Sequence, residues 1–500
     1  MVMAYFMGID VGTSSVKALV MDENGAEICS ASKKYDVLQP QLNYAEQDPE
    51  EIWEATKSVL QKLSGQYPEA VRNLKGISYS GQMHGLLLVD RNIKPVCNMI
   101  IWQDHRSVDQ RRKIYKLVPP EQFHHITLNQ LSPGYLIMSL MWVKEHAPKV
   151  YDRSALFLLP KDYIRYKMCG VPGTDMSDAS GTVIFDTANK CWPWAVIERL
   201  GLRKDLFPEC HESKETAGEI TKECARATGL REGTPVIYGG GDTLMHEIGT
   251  GLIAEDRPWV SNIGTACQIT CVTKRPVFDE QFRTNTFCCV KEELWMLMAV
   301  GMCGGSAMKW MQGILRVDTF EELNHMAEQV RPGSNGVIFL PYLSGSRCPQ
   351  NDPLSKGIYL GLSLDHGRNH LVRSTMEGVV YSLKSDLELL KILTKKDPGT
   401  MIASGGGARG RLFLQIQADV FEKALYTTES AEQACIGAAI TAAVGTGYFR
   451  SFEEACEKTV RLKDEIIEPI PENCKIYQEY YEVYKEMYSQ NKELFWRLPS

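Results

Sequence analysis

The sequence has no apolar run approaching the roughly 18–20 residues that a membrane-crossing helix needs, so a helical anchor is not expected. It also lacks a basic excess: 55 Lys and Arg against 62 Asp and Glu leave a net charge of −7. That argues against a dedicated nucleic-acid binder, although a local basic cleft for a phosphate ligand stays compatible with it. No C-x-x-C pair or His/Cys cluster has zinc spacing; His124-His125 reads better as ordinary surface or core histidine. The 15 cysteines are odd in number and irregularly spaced, and many lie in apolar surroundings (Cys267, Cys271, Cys288, Cys289, Cys303). Reduced, buried thiols in a cytosolic enzyme fit this better than a disulfide framework. The start, MVMAYFMGID, has no basic n-region and runs straight into a strand signal, unlike a signal peptide. A cytoplasmic location is therefore expected. No G-x-x-x-x-G-K-[ST] loop is present, so any use of ATP must follow another architecture. Low-complexity segments and long linkers are absent too, and domain motion should be a hinge event.

At 500 residues the chain exceeds what one core usually supports. Two domains are expected, 1–246 and 247–500. Two short turns half a chain apart carry this reading: Asp10-Val11-Gly12-Thr13-Ser14-Ser15 and Ser261-Asn262-Ile263-Gly264-Thr265. Each lies between apolar runs, the pattern of a β-hairpin whose tight tip can offer backbone N–H groups and a hydroxyl to an oxyanion. Two such tips suggest a duplicated domain with polyphosphate clamped between the copies. The first stretch reads as three antiparallel strands followed by a helix, with Asp48 as N-cap, Pro49 at the first position and Glu50 and Glu51 in the first turn. Strands at 75–79 and 86–90 follow. This β-β-β-α-β order differs from a dinucleotide-binding βαβ rhythm and is that of a ribonuclease H-like domain, the unit duplicated in actin-like proteins. The second half should begin after Gly239-Gly240-Gly241-Asp242 with another strand-turn-strand. Ala434 to Val444 reads as a small-residue helix suited to close packing, and Tyr477, Tyr480, Tyr481, Tyr484 and Tyr488 as a docking stripe.

Asp10 ends a buried strand just before the first tip, where a carboxylate is costly unless it holds water, metal or a hydrogen-bond network. Beside a triphosphate it would hold hydrated Mg²⁺, which keeps several waters and few protein ligands; a turn-stabilising aspartate is the alternative. Lys17 could reach a phosphate or stand as an exposed strand lysine. Asp242 follows three glycines, which allow close backbone approach and present the carboxylate at a strand end. Phosphoryl transfer to an alcohol needs positioning, charge neutralisation and a carboxylate to accept the hydroxyl proton. Asp242 is the candidate for that base, with capping of the following segment as its alternative role. Gly405-Gly406-Gly407-Ala408 between a strand and a helix offers a seat for a nucleotide.

The stretches GIDVGTSSVKALVMDENG, EQDPEEIW, SGQMHGLLLVD, LPKDYIRYKMCG, TDMSDASGT, YGGGD, LPYLSGSRCPQNDPLSKGIYLGL and ASGGGARGRLFLQIQADVF occur in order from residue 8 to about 445. Together they resemble the FGGY carbohydrate kinases, and within them the branch that acts on xylulose. The resemblance implies an α/β fold of two ribonuclease H-like, actin-like domains with ATP and sugar meeting in the interdomain cleft. It implies transfer of the ATP γ-phosphate to a terminal hydroxyl of a ketose, D-xylulose first, with Mg²⁺. Asp242 would be the base and Asp10 would support Mg-ATP, with Met83, His84, Trp102, Asp104 and Arg106 on the sugar side. Thr13, Ser14, Ser15, Lys17, Thr265, Gly305, Lys309, Gly407 and Arg411 fall at nucleotide positions. A homodimer is compatible with the resemblance. The chain departs from the family pattern at Gln103, at Ser346 and after Asp242, where Thr243-Leu244-Met245-His246-Glu247 is expected to shrink the pocket or re-aim its donors. Ribulose, sedoheptulose, gluconate or a smaller polyol are alternative acceptors. An actin-like ATPase and an inactive sugar sensor are the rivals of other classes.

Overall fold

The computed structural model describes residues 3–498; the outermost residues of both expected domains, 1–2 and 499–500, lie outside it. In the first half, β1 (Tyr5–Val11), β2 (Ser15–Asp22) and β3 (Glu27–Lys34) form the expected antiparallel meander. Helix α1 (Pro49–Gln66) starts where the sequence signals place it, with Asp48 accepting from the Glu50 N–H at 2.8 Å. Its Ile52, Ala55, Val59 and Leu60 are buried, so the helical period is the face that covers the sheet. Strand β4 (Leu74–Gly81) then pairs parallel with β1. Helices α2 (Pro160–Cys169) and α3 (Met176–Gly181) lead to β5 (Thr216–Glu219), β6 (Pro235–Ile237) and β7 (Gly240–Gly241). The sheet order is β5-β6-β4-β1-β2-β3, with β7 pairing along β4.

The second half does not open with a strand. Asp242 begins α4 (Asp242–Thr250), which spans the expected boundary at 246/247. After it come β8 (Trp259–Ile263), β9 (Cys267–Thr273), β10 (Thr284–Cys288), β11 (Trp295–Gly301), α5 (Gly305–Leu315), α6 (Arg368–Thr394), β12 (Thr400–Gly405), α7 (Arg411–Phe421), β13 (Ala424–Thr427), α8 (Gln433–Gly445) and α9 (Pro471–Arg497). Their sheet runs β10-β11-β9-β8-β12-β13. Here β8, β9 and β11 are antiparallel neighbours, while β12 and β13 are added parallel to β8. That repeats the antiparallel-then-parallel pattern of the first sheet, so the fold is α/β with two ribonuclease H-like domains in the actin-like arrangement. Gly-Thr tips join β1 to β2 and β8 to β9 at equivalent places.

Helices α4 and α8 lie between the sheets. One apolar cluster takes Phe6, Leu19 and Met21 from the first sheet and Val260, Val272 and Ile402 from the second, with Ile248, Ile436 and Ile440 of the two helices among them. The helices cross at glycines: a Cβ on Gly249 would stand 2.0 Å from the Gln433 carbonyl oxygen, and one on Gly437 would stand 1.9 Å from that of Met245. The small-residue reading of α8 is thereby accounted for, since only bare backbone permits this approach. The tyrosine stripe of α9 also docks as expected. Tyr477, Tyr481 and Tyr484 are buried, and the Tyr477 hydroxyl meets Arg373 and Glu377 of α6 at 2.6 and 3.0 Å. Among the described residues no helix is long and apolar enough to cross a membrane.

Candidate active site

Two carboxylates meet at the cleft from different elements. Asp10 is half-buried near the end of β1; its Oδ1 accepts from Ser80 Oγ of β4 at 2.6 Å, and Oδ2 has no donor among the described residues. Burial raises its pKa, with the Ser80 hydrogen bond and Lys17 opposing. Asp242 is half-buried at the start of α4. Burial pushes its pKa up to about 7, and the charge of Asp10 adds to the rise. Thr243 opposes it: its N–H donates to Asp242 Oδ1 at 2.7 Å. A carboxylate poised near neutrality is what proton abstraction at physiological pH requires. Leu244 and Met245, the third and fourth residues of α4, are buried in the core between the sheets. Their bulk is absorbed there, while Thr243 and the half-buried His246 remain near the carboxylate.

The glycines before Asp242 have separate causes. Gly239 has φ +82°, and a Cβ there would meet the Tyr79 backbone at 2.3 Å. Gly240 faces Ser177, whose Oγ would lie 2.6 Å from a Cβ, and Gly241 faces Met83 at 2.8 Å. Met83 therefore packs against the residue before Asp242. His84 beside it has φ +73°, a left-handed conformation that costs a non-glycine residue of order 1 kcal/mol or more. Its Nδ1–H donates to the Gly181 carbonyl at 2.5 Å, and its ring lies against that of Tyr135 with centroids 4.4 Å apart and planes tilted by 47°. Burial pulls its pKa down to about 4. The ring is neutral and keeps Nε2 as a hydrogen-bond acceptor. From the second domain Arg347 reaches the Tyr135 hydroxyl at 2.7 Å and Asn285 Oδ1 at 2.6 Å, tying the domains together at this wall.

Trp102, Asp104 and Arg106 lie on the loop opposite. Trp102 is 45% exposed and donates from Nε1 to Thr13 Oγ1 at 2.9 Å, joining this loop to the first tip. Asp104 is fully buried: it accepts from the Ala45 N–H and from Arg106, which also pairs with Glu46 at 2.7 Å and lies over Tyr44. Their polar atoms are thus occupied in holding that loop.

The first tip is braced by the Tyr35 hydroxyl donating to the Gly12 carbonyl and by Gln47 Nε2 on the Thr13 carbonyl at 2.6 Å. Thr13 and Ser15 are half-buried and Ser14 is exposed, with Thr13 Oγ1 accepting from Trp102, whereas Lys17 is paired with Glu432. The second tip has its own seat, since the Gly305 N–H at the start of α5 donates to the Gly264 carbonyl at 2.7 Å. Ile263 pairs with Gly405, and a Cβ on Gly407 would meet the Ile263 side chain at 2.6 Å. Thr265, Gly305 and Gly407 therefore converge at one end of the second sheet. Lys309 is exposed on α5. Arg411 is solvent-facing at the start of α7 and pairs with Glu465. The donor set of bare backbone N–H groups, small hydroxyls and one partly free carboxylate suits a nucleotide triphosphate with a hydrated divalent cation.

Several residues of the site were not singled out from sequence: Ser80, Tyr135, Arg347, and the buried group Lys161, Asp162, Asp175 and Asp178. The signal for that group was present as charged letters in PKDY and TDMSDASGT, set in otherwise apolar surroundings. Lys161 Nζ is 2.6 Å from Asp162 and 2.7 Å from Asp175, all fully buried. Burial alone would strip its proton, but the three carboxylates outweigh that and hold it charged. Burial drives Asp178 well above the usual carboxylate range.

Residues 5–249 match the N-terminal domain of the FGGY family of carbohydrate kinases and residues 260–446 its C-terminal domain. The chain belongs to this family and is a sugar kinase. It is 34% identical over 493 residues to the xylulose kinase of Bacillus subtilis, covering 98% of each chain. It is 32% identical to that of Escherichia coli, covering 90% of this chain and 92% of the other. A solved structure described as a xyloylose kinase from Brucella ovis superposes with a TM-score of 0.91 at 29% identity, covering 98% of this chain and all of the other.

Proposed function

We propose that the chain transfers the γ-phosphate of ATP to a terminal hydroxyl of D-xylulose, giving D-xylulose 5-phosphate and ADP. The observation that carries this reading is Asp242: a carboxylate with pKa about 7, its Oδ1 fixed by Thr243, facing the cleft across from Asp10, with Met83 packed against the residue before it. Asp242 takes the proton of the sugar hydroxyl as that oxygen bonds to the γ-phosphorus and the bridge to ADP breaks. Met83 and His84 form the ketose wall, with His84 Nε2 accepting from a sugar hydroxyl, and Trp102 closes the opposite side on a loop held by Asp104 and Arg106. Thr13, Ser14, Ser15, Thr265, Gly305 and Gly407 hold the phosphates, with Lys17, Lys309 and Arg411 at the rim. Mg²⁺ would be held by Asp10 largely through water, and when bound it neutralises phosphate charge. Helix α4 joins the two domains, and closure about it would exclude water that would otherwise accept the phosphoryl group. The names of the relatives support xylulose as the acceptor.

A panel of D-xylulose, D-ribulose, sedoheptulose, gluconate and glycerol with coupled ADP detection tests the acceptor, and D-xylulose should have the highest kcat/KM. Asp242→Asn should lower kcat by about 10²–10⁴ with ATP affinity little changed. Undiminished turnover in that variant would overturn the base assignment.

A further inference from the structure

The buried ion group beneath the site has no evident structural need. Enclosing an ammonium and several carboxylates costs more than an apolar core of the same volume. An ion pair and the hydrogen bonds beyond it lead to the residue before Asp242. Lys161 Nζ stands 2.7 Å from Asp175 Oδ2. Asp175 Oδ1 accepts from the Ser177 N–H at 2.9 Å, from the Ser177 hydroxyl and from Ser213 Oγ at 2.9 Å. The Ser177 oxygen in turn accepts from the Gly241 N–H at 3.2 Å. Gly241 is the residue before Asp242, and its strand partner Gly81 lies against Lys161, where a Cβ would stand 2.7 Å from that of the lysine. The route from ammonium to carboxylate to hydroxyl to peptide N–H is continuous and reaches no solvent at any side chain, since Lys161, Asp175 and Ser177 are all fully buried.

We propose that Ser177, anchored on the Lys161–Asp175 pair, is a positioning residue for Asp242: it fixes the Gly241 peptide and with it the direction in which the base faces the sugar hydroxyl. A hydroxyl that donates to a carboxylate makes a short, strong bond and turns its lone pairs toward the next donor. The Gly240-Gly241 segment is paired with Ser80 and Gly81 of β4, and the Ser177 bond fixes the Gly241 N–H from the other side.

The inference rests on Asp242 being the base, and the test separates the two. Ser213 supplies the internal comparison: it donates to the same Asp175 oxygen but does not touch Gly241. Ser177→Ala should lower kcat about ten-fold, in the range expected for misplacing a catalytic group by a fraction of an ångström, with KM for sugar and ATP within two-fold. Ser213→Ala should change kcat by less than two-fold; both variants remove a hydroxyl donor to Asp175, and Ser177→Ala, which also leaves the Gly241 N–H unpaired, should melt at the lower temperature. Ser177→Cys, with a weaker acceptor, should fall between wild type and Ser177→Ala; if the alanine variant does not fold, the comparison of Ser177→Cys with Ser213→Ala decides. Equal losses of kcat at positions 177 and 213, or none at 177, would overturn the proposal. Full activity in Asp242→Asn would instead overturn the base assignment.

Discussion

The carboxylate of Asp242 should cost the folded protein stability, and Asp242→Asn should recover it in a pH-dependent way. Its pKa rises from 3.8 to about 7 on folding, chiefly through burial. Below pH 3.8 both states are protonated and the carboxyl costs nothing. Between 3.8 and 7 the unfolded chain is ionised while the folded one keeps its proton, so stability falls by about 1.4 kcal/mol per pH unit. Above 7 the loss is complete, at about 3 pH units, or ~4 kcal/mol. Water in the cleft screens a half-buried group, and about 2 kcal/mol is the working figure at pH 8. Asparagine keeps the shape without the charge. Thermal melting should therefore show Asp242→Asn above wild type by about 2–4 °C at pH 8 and by less than half of that at pH 5, while kinase activity is lost. Equal melting temperatures at pH 8, or a larger gain at pH 5 than at pH 8, would refute the assignment of a raised pKa to this residue. A gain in stability at the expense of turnover is the usual mark of a strained functional group.

The same value predicts that kcat/KM for the sugar falls below about pH 7 with unit slope. His84 is already neutral there, its pKa being about 4, so His84→Asn should weaken the reaction without moving that limb; a pH–rate profile of both proteins checks this. At the crossing of α4 and α8, Gly249→Ala would place a methyl 2.0 Å from a backbone oxygen. It should cost about 1–3 kcal/mol and lower kcat, since α4 begins at the base. Gly65→Ala on α1 meets nothing within 4 Å and should be neutral or slightly stabilising; melting curves and turnover of the pair make the comparison.

Local chemistry is what the sequence alone determined. The two Gly-Thr tips, the Asp48-Pro49 helix start, the strand-turn-helix at Gly405–Gly407 and the candidate carboxylates Asp10 and Asp242 are each written in a few adjacent residues, because turns, caps and strand ends are set by nearest-neighbour sterics and hydrogen bonds. The repeat of the tips made the duplicated architecture legible as well. Tertiary structure decided everything that depends on approach across sequence distance. Asp242 opens a helix rather than preceding a strand because α4 must fill the space between the sheets opposite α8. Leu244 and Met245 leave the pocket for the same reason. Asp104 and Arg106 hold a loop because Tyr44, Ala45 and Glu46 fold onto them. Ser177 reaches the residue before Asp242 from more than 60 residues away in the chain. No local pattern encodes such a contact, since its energy exists only once two remote backbones have been brought together.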